Sequence, residues 1–578
     1  MHHHKELPVF TWQSLLQYGV IAGVCVLYIC LVGIFEAFQV RNVIEFQLAI
    51  PVIGTVKSLP LGLAVLLTII FTMGYVTPRN LVGKQNVPLA IGSGVVVGLM
   101  AGLMLAAFVS LIGPLNIRGM FINASPKLIQ FLTFQQPSMT TGLLMLIATL
   151  TATSTVGAII YVLPSLPQRI ILAGLTAILF MGMLQDFLTR INVIEALAHI
   201  IYGRKGLTAS GAAIIFVLFA GLYAFWSTQG ESLKGRVAQL PKTQQRVLNW
   251  SGILVGLIIL IGIPHWTDSY VTQILFLVGL YTAMGLGLNL ELGWAGLLDL
   301  GFSGFFAIGA YTVAIMTSTG KLGFGYSFWV AVPTAVLFSA IAGVILGIPV
   351  LRTRGDYLAI ITLGLAEIIR IMAKSNAMKE FLGGPQGVLN IAKPNIGSVG
   401  QSVFGITELK DPMHFYYLIL IVCAIIGFMA WRLQYARIGR NWIALREDED
   451  VAEAMGINLI ATKLLAFGIG ASFAGFGGAV FAANLGSVFP DSFTLLVSVN
   501  VVSLVIIGGL GSIPGVIVGA LVLVGLPELL REFAEFRLLI YGMLLVVMML
   551  VRPEGFWPSE ANIRQLHIDD DDSTPVTA

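Results

Sequence analysis

Apolar runs long enough to cross a bilayer recur from one end of the chain to the other. A hydrocarbon core about 30 Å thick takes roughly 20 helical residues to span. The pattern predicts such helices over 15–35, 61–77, 88–113, 141–163, 170–188 and 208–227. After a polar stretch it predicts more over 249–264, 271–290, 296–316, 328–350, 357–374, 415–433, 461–485, 494–510, 513–527 and 537–551. Helices are required because unpaired backbone in hydrocarbon is too costly, and the runs are too long for barrel strands. The expected fold is an all-α polytopic membrane protein.

The stretch Ser227 to Asn249, with Lys234, Arg236, Lys242 and Arg246, separates the two sets of runs and reads as a linker. The predicted organisation is an amino-terminal membrane extension of about six spans over 1–240, a larger membrane region of about ten spans over 241–560, and an acidic cytoplasmic tail over 561–578. The run Asp569 to Asp572 in that tail reads as solvated charge. Basic connections tend to stay cytoplasmic. Alternation then places Arg352 and Arg354, the loop carrying Arg432, Arg437, Arg440 and Arg446, and the tail after Arg552 on the inner side with the linker. Arg190, Arg204 and Lys205 break the alternation in the first region, which an interfacial helix around Ile191 to Tyr202 would explain.

Composition excludes whole classes of function. Of 578 residues 57% are hydrophobic and 11% charged, with mean hydropathy +0.91, against roughly 25% charge in a soluble domain. A single soluble globule is excluded. A net charge of +3 gives no electrostatic footprint for nucleic acid. Cys25, Cys30 and Cys423 lie in apolar runs without metal-ligand spacing. No GxxxxGK[ST], GxSxG or HExxH stands in a usable context, so the chain offers no nucleotide site, no catalytic residue, no metal ligand and no cofactor site.

Ionisable residues within or beside the runs are Asp186, Glu291, Asp299, Glu367 and Arg370. A charge at mid-membrane costs about 2.5 to 3.5 kcal/mol on insertion scales, so those that are buried should have partners. Glu367 and Arg370, three apart on a helix, are expected to pair. Asn289, Asp299 and Tyr311 share one segment and, with Glu367, are candidates for a polar substrate path; structural ion pairs or interfacial charges are the plainer alternative. Gly470, Ala474, Gly478 and Ala482 form one small-residue stripe and Ala471, Gly475, Ala479 and Ala483 a second. Gly511, Gly515 and Gly519 repeat the spacing, which suits close helix packing or a sliding surface.

The polar island Arg437 to Lys463 sits between two spans on the basic side. Glu447, Asp448, Glu449 and Asp450 suit the first turn of a helix, where carboxylates meet the macrodipole. Val451, Ala452 and Met455 make an apolar face, and Gly456 supplies a left-handed stop. Such a rigid knob docks into a soluble partner or, alternatively, rests on lipid headgroups. Its four acidic residues disfavour an anionic surface.

This loop, ALRED followed by AEAMGIN, resembles the coupling loop of permeases in ATP-binding-cassette importers, specifically the branched-chain amino-acid permeases of the LivM type. Further blocks are similar in family order: GLGLNLELGWAGLLDLGFSGFFAIGAY (Gly285 to Tyr311), LRTRGDYLAIITLGLAEIIRI (Leu351 to Ile371), GGPQGV (Gly383 to Val388), LLAFGIGASFAGFGGAVFA (Leu464 to Ala482), GGLGSIPG (Gly508 to Gly515) and RPEGFWP (Arg552 to Pro558). The resemblance covers about Asn249 to Pro558. It implies a permease helical bundle, here with additional amino-terminal transmembrane helices. The implied system is an inner-membrane importer in which a periplasmic or extracellular binding protein delivers substrate, a LivH-type chain completes the pathway, and two cytoplasmic ATPases bind ATP and drive transport.

On that resemblance Arg446, Glu447, Asp448, Glu449, Ala452, Glu453, Ala454, Met455 and Gly456 form the ATPase contact, and charge reversal of Glu449 with Glu453 is expected to uncouple hydrolysis from uptake. Branched-chain amino acids lead the substrate expectation; urea, amides or other amino acids are alternatives within the class. An ion-coupled secondary transporter using Asp299 or Glu367 is a different class. The first 240 residues exceed what the family needs and carry no copy of its blocks, so a fused second permease is not expected. A role in stabilising the complex or contacting lipid or a regulator is.

Overall fold

The computed structural model describes residues 11–558 apart from 41, 51–53, 85, 113, 116–118, 190–199, 204, 239–240, 351–355, 398–406, 530–535 and 553. Most of the expected interfacial helix, Arg352, Arg354 and the acidic tail therefore lie outside the described residues, as does the side chain of Asp186. Two compact units divide at Ile258/Ile259.

In the first unit every predicted run is a helix. These are α1 (Trp12–Val32), α2 (Leu61–Leu81), α3 (Val87–Ile112), α4 (Met139–Val162), α5 (Ser165–Met183) and α6 (Ala209–Ala238). α1 is started by Thr11, whose hydroxyl accepts from Ser14 N at 3.2 Å, and stopped by Gly33 at φ +90°. Gly74 and Gly157 let α2 and α4 touch at backbone distance: a Cβ on Gly74 would lie 2.1 Å from Ser154 O, and one on Gly157 2.4 Å from Phe71 O.

Two features of this unit differ from the sequence expectation. A strand hairpin, β1 (Asn42–Ile50) antiparallel to β2 (Gly54–Pro60), is joined by β3 (Leu207–Thr208) parallel to β1. Its signal is the period-two alternation of Ile44, Phe46, Leu48 and Ile50 with Glu45 and Gln47, which a search for 20-residue runs passes over. The polar stretch after Ser227 is also no loose linker. α6 continues through it to Ala238, and α7 (Lys242–Trp266) begins four residues on from there.

The second unit contains α8 (Ser269–Leu288), α9 (Phe302–Thr317), α10 (Phe328–Val350), α11 (Asp356–Lys374) and α12 (Pro412–Gln434). The short pair α13 (Arg437–Glu447) and α14 (Glu449–Ala454) follows, then α15 (Leu459–Leu485), α16 (Leu495–Gly508), α17 (Ile513–Ala520) and α18 (Arg537–Val551). Across the described residues of both units, eleven helices are long and apolar enough to cross a membrane.

α15 is the central post of the second unit, and its two small-residue stripes are close-packing surfaces. A Cβ on Gly478 would stand 2.2 Å from Phe306 O of α9, and one on Gly309 of α9 would stand 2.2 Å from Gly475 O. On the α10 side a Cβ on Gly343 would meet Phe467 O at 2.5 Å, and Gly475 leaves room for Ser339. Helices that close hold each other by dispersion between backbones, the main attraction left where lipid removes the hydrophobic drive.

Between the runs predicted over 271–290 and 296–316 the chain does break, and the second helix starts later than predicted, at Phe302. α8 loosens into a π-helical turn at Asn289–Trp294, Gly296 turns at φ +71°, and non-helical chain leads into α9, which at 16 residues is about 24 Å long. Irregular backbone at membrane depth persists where protein satisfies it. Here Thr362 Oγ1 accepts from Leu300 N at 3.1 Å and Asp299 Oδ1 from Gly301 N at 2.6 Å.

Candidate functional site

The polar island folds as expected in outline, with a break inside it. α13 ends at Glu447, and Asp448 then caps α14, its carboxylate accepting from Asp450 N at 2.9 Å and Val451 N at 3.0 Å. Gly456 sits at φ +85° and closes the knob. Two anchors tie it to the start of α15. Buried Trp442 donates to Thr462 O at 2.9 Å, and Lys463, almost fully buried, meets Glu449 at 2.8 Å.

A third anchor runs into the bundle. Arg446 Nη1 donates to Gly293 O in the π turn at 2.7 Å, and the Arg446 side chain lies over Gly296, where a Cβ would stand 2.7 Å from its Cγ. The π turn is clipped further, since Asn289 Oδ1 accepts from Gly511 N at 2.8 Å and Trp294 Nε1 donates to Gly511 O at 3.1 Å. The segment after α18 joins here too, with Phe556 N and Trp557 N donating to Ile507 O and Gly508 O at 2.9 Å. Segments distant in sequence thus converge at one end of the bundle, around a cavity. Its volume is about 570 Å³, and it is lined by Trp294, Trp431, Tyr435, Arg446, Ser512 and Trp557 among others.

The nine expected contact residues divide by placement. Ala452 packs inward, and Arg446 and Glu449 are engaged within the chain. Glu447, Asp448, Glu453, Ala454, Met455 and Gly456 are exposed, as are Asp450 and Val451. Val451 at 59% and Met455 at 79% exposure are apolar side chains left largely uncovered by the described residues. The knob is thus anchored on three sides and presents an acidic and apolar tip.

The four path candidates do not form one cluster. Asn289 and Asp299 are buried with Glu291 beside the π turn. The Glu291 carboxylate packs on Gly470 of α15, and neither of its oxygens nor Asp299 Oδ2 has a hydrogen-bond partner among the described residues. An unpartnered carboxylate is costly to bury as a charge, and an amide of the same shape carries none. Glu291→Gln is therefore expected to keep or raise stability, by about 1 kcal/mol, read as the thermal unfolding midpoint in detergent; a clear drop would show that the second carboxyl group is needed as such.

Tyr311 and Glu367 lie at the opposite end of the unit from the knob. The Glu367–Arg370 pair expected from spacing is present. Arg370 and Lys374 both also reach Asp491, at 3.2 and 2.8 Å, a grouping of residues 117 and 121 positions apart that no local pattern foretells. At this end Lys393 Nζ caps α15, donating to Ala483 O at 3.1 Å and Asn484 O at 2.7 Å above the Phe415 ring. Burial pushes its ammonium below the ordinary lysine value.

Comparison with known proteins bears on this arrangement. A family model described as branched-chain amino acid transport system / permease component matches residues 270–551. The chain is 39% identical over 364 residues to the high-affinity branched-chain amino acid transport system permease protein LivM of Escherichia coli K12, covering 60% of this chain and 84% of that one. The LivM protein of Salmonella typhimurium LT2 is 38% identical over the same shares. The LivH protein of Escherichia coli K12 is 26% identical over 197 residues, 33% of this chain and 63% of that one. No solved structure matches.

Proposed function

Because the chain belongs to the family of branched-chain amino-acid transport permeases, as a member of the LivM type, we propose that its knob at 437–463 is the joint through which separate cytoplasmic ATPases move the bundle. The protein is a multi-pass inner-membrane permease of a branched-chain amino-acid importer. It alternates access without covalent chemistry on its cargo, and ATP is bound by the partner ATPases. A LivH-type chain forms the other half of the pathway, and a binding protein outside the membrane supplies the amino acid.

The observation that carries this reading is the anchoring of the knob. Force applied to the tip passes through Trp442 and Lys463 into α15 and through Arg446 into the π turn, so a push at the surface moves two buried elements together. The tip offers Asp450, Glu453, Val451 and Met455 to a partner groove with basic and apolar lining.

Glu449 is a poor position for testing the contact, because reversing its charge would set a cation against buried Lys463 inside the knob itself. The paired reversal Asp450→Arg with Glu453→Arg touches the exposed tip alone. In the reconstituted complex it is expected to reduce ATP-driven leucine uptake at least tenfold and to weaken co-purification of the ATPases, while the permease reaches the membrane at its normal level. Undiminished uptake would remove the joint from the mechanism.

A further inference from the structure

The end of the second unit opposite the knob carries charges that neither the joint nor the packing of the bundle uses. α11 buries Leu358, Ala359, Thr362, Ala366 and Ala373 and leaves Tyr357, Ile360, Ile368 and Ile371 bare, each more than half exposed. On the last two turns of this uncovered helix stand Glu367, Arg370 and Lys374. Arg370 Nε donates to both Glu367 oxygens at 3.1 and 3.0 Å and Nη1 to Asp491 at 3.2 Å; Lys374 donates to both Asp491 oxygens at 2.8 and 3.0 Å. All four side chains remain reachable, from 21% exposure at Arg370 to 63% at Asp491. Full charges on a face turned to hydrocarbon would be strongly disfavoured, so this face meets water.

Position gives the cluster its meaning. The knob joins α15 at Leu459 and Asp491 follows its other end at Leu485, about 40 Å away along 27 residues. The cluster therefore lies at the mouth where cargo enters. Beside it is an apolar hollow of about 330 Å³ lined by Tyr311, Ile315, Phe324, Ile369, Ala373 and Leu382. Tyr311 carries a buried hydroxyl without a partner among the described residues, within electrostatic reach of Asp491.

We propose that the alternating charges of Glu367, Arg370, Asp491 and Lys374, with this hollow, form the receiving site for a zwitterionic α-amino acid with an aliphatic side chain. The carboxylate of the amino acid takes the guanidinium or ammonium donors, its ammonium takes the acidic oxygens with Tyr311 adjacent, and its side chain enters the hollow. Acid and base that satisfy each other in the empty site exchange partners with the zwitterion, so neither is stranded in either state. The inference rests on the importer reading and extends it to named residues.

The test uses the complete importer in proteoliposomes, with Ile371→Cys placed in a background where Cys25, Cys30 and Cys423 are replaced. A membrane-impermeant thiol reagent is expected to label Cys at this position, and leucine to slow labelling at least threefold. The analogues 3-methylbutylamine and 4-methylpentanoate, each lacking one charge, are expected not to. In uptake, Arg370→Gln with Lys374→Gln should lower the leucine rate at least tenfold relative to the unsubstituted importer, and the exchange Arg370→Lys with Lys374→Arg should restore it to within twofold. No labelling, equal protection by all three compounds, or unaltered uptake by the neutralised variant overturns the site. The importer reading is scored separately, by ATP-driven uptake in the unsubstituted assembly.

Discussion

Gly309→Leu or Gly478→Leu is expected to leave almost no folded permease in the membrane. At both positions the atom that a new Cβ would meet is a backbone carbonyl oxygen 2.2 Å away, on Gly475 for the first and Phe306 for the second. A flexible neighbour could turn aside, but a helix backbone cannot without moving the whole helix. Separating α9 from α15 also opens the contacts of α15 with the π turn, so the loss is about 3 kcal/mol or more. Fluorescence-detected size-exclusion of tagged protein reads the outcome as disappearance of the monodisperse peak. Gly364→Leu is the matched control, because a Cβ there meets nothing within 4 Å. Equal peaks for all three variants would show that the crossing is not as tight as described.

The second large effect is expected at Arg446. Arg446→Ala removes a charged donor from Gly293 O and the side chain lying over Gly296. A hydrogen bond involving a charged group contributes about 1.5 to 3 kcal/mol, between one and two powers of ten in an equilibrium. With the tip intact the ATPases still dock, but the push no longer reaches the π turn. Uptake should fall between about tenfold and a hundredfold while ATP hydrolysis continues, and the ratio of leucine moved to ATP consumed measures it. A parallel fall in hydrolysis and uptake, at constant ratio, would place Arg446 in docking and not in transmission.

Much of this architecture was legible in the chain because lipid imposes a long period of apolar residues on every crossing helix. The sixteen runs read from the pattern each contain a helix, and the acidic cluster with Gly456 located the knob. What escaped notice obeys other rules. The first strand of the hairpin at 42–60 alternates with period two, over only Ile44 to Ile50. The interruption near 290 shows in the runs, but its extent to Gly301 does not, because the partners Thr362, Arg446 and Gly511 that support its irregular backbone come from distant parts of the chain. Glu367 and Arg370 could be paired by spacing, whereas Asp491 joins them through tertiary structure. Asn289, Asp299, Tyr311 and Glu367 share no single route; two lie by the π turn and two at the end of the unit away from the knob.

The glycine contacts that bind α9, α10 and α15 bear on how the transport cycle divides its labour. Elements stitched backbone to backbone have no intermediate spacing at which they remain attached, so they travel as one stiff body. Rearrangement is then confined to seams without such stitching. The bare flank of α11 carries no such contact: a Cβ on its Gly364 meets nothing within 4 Å, so whatever lies against that flank can shift without breaking one.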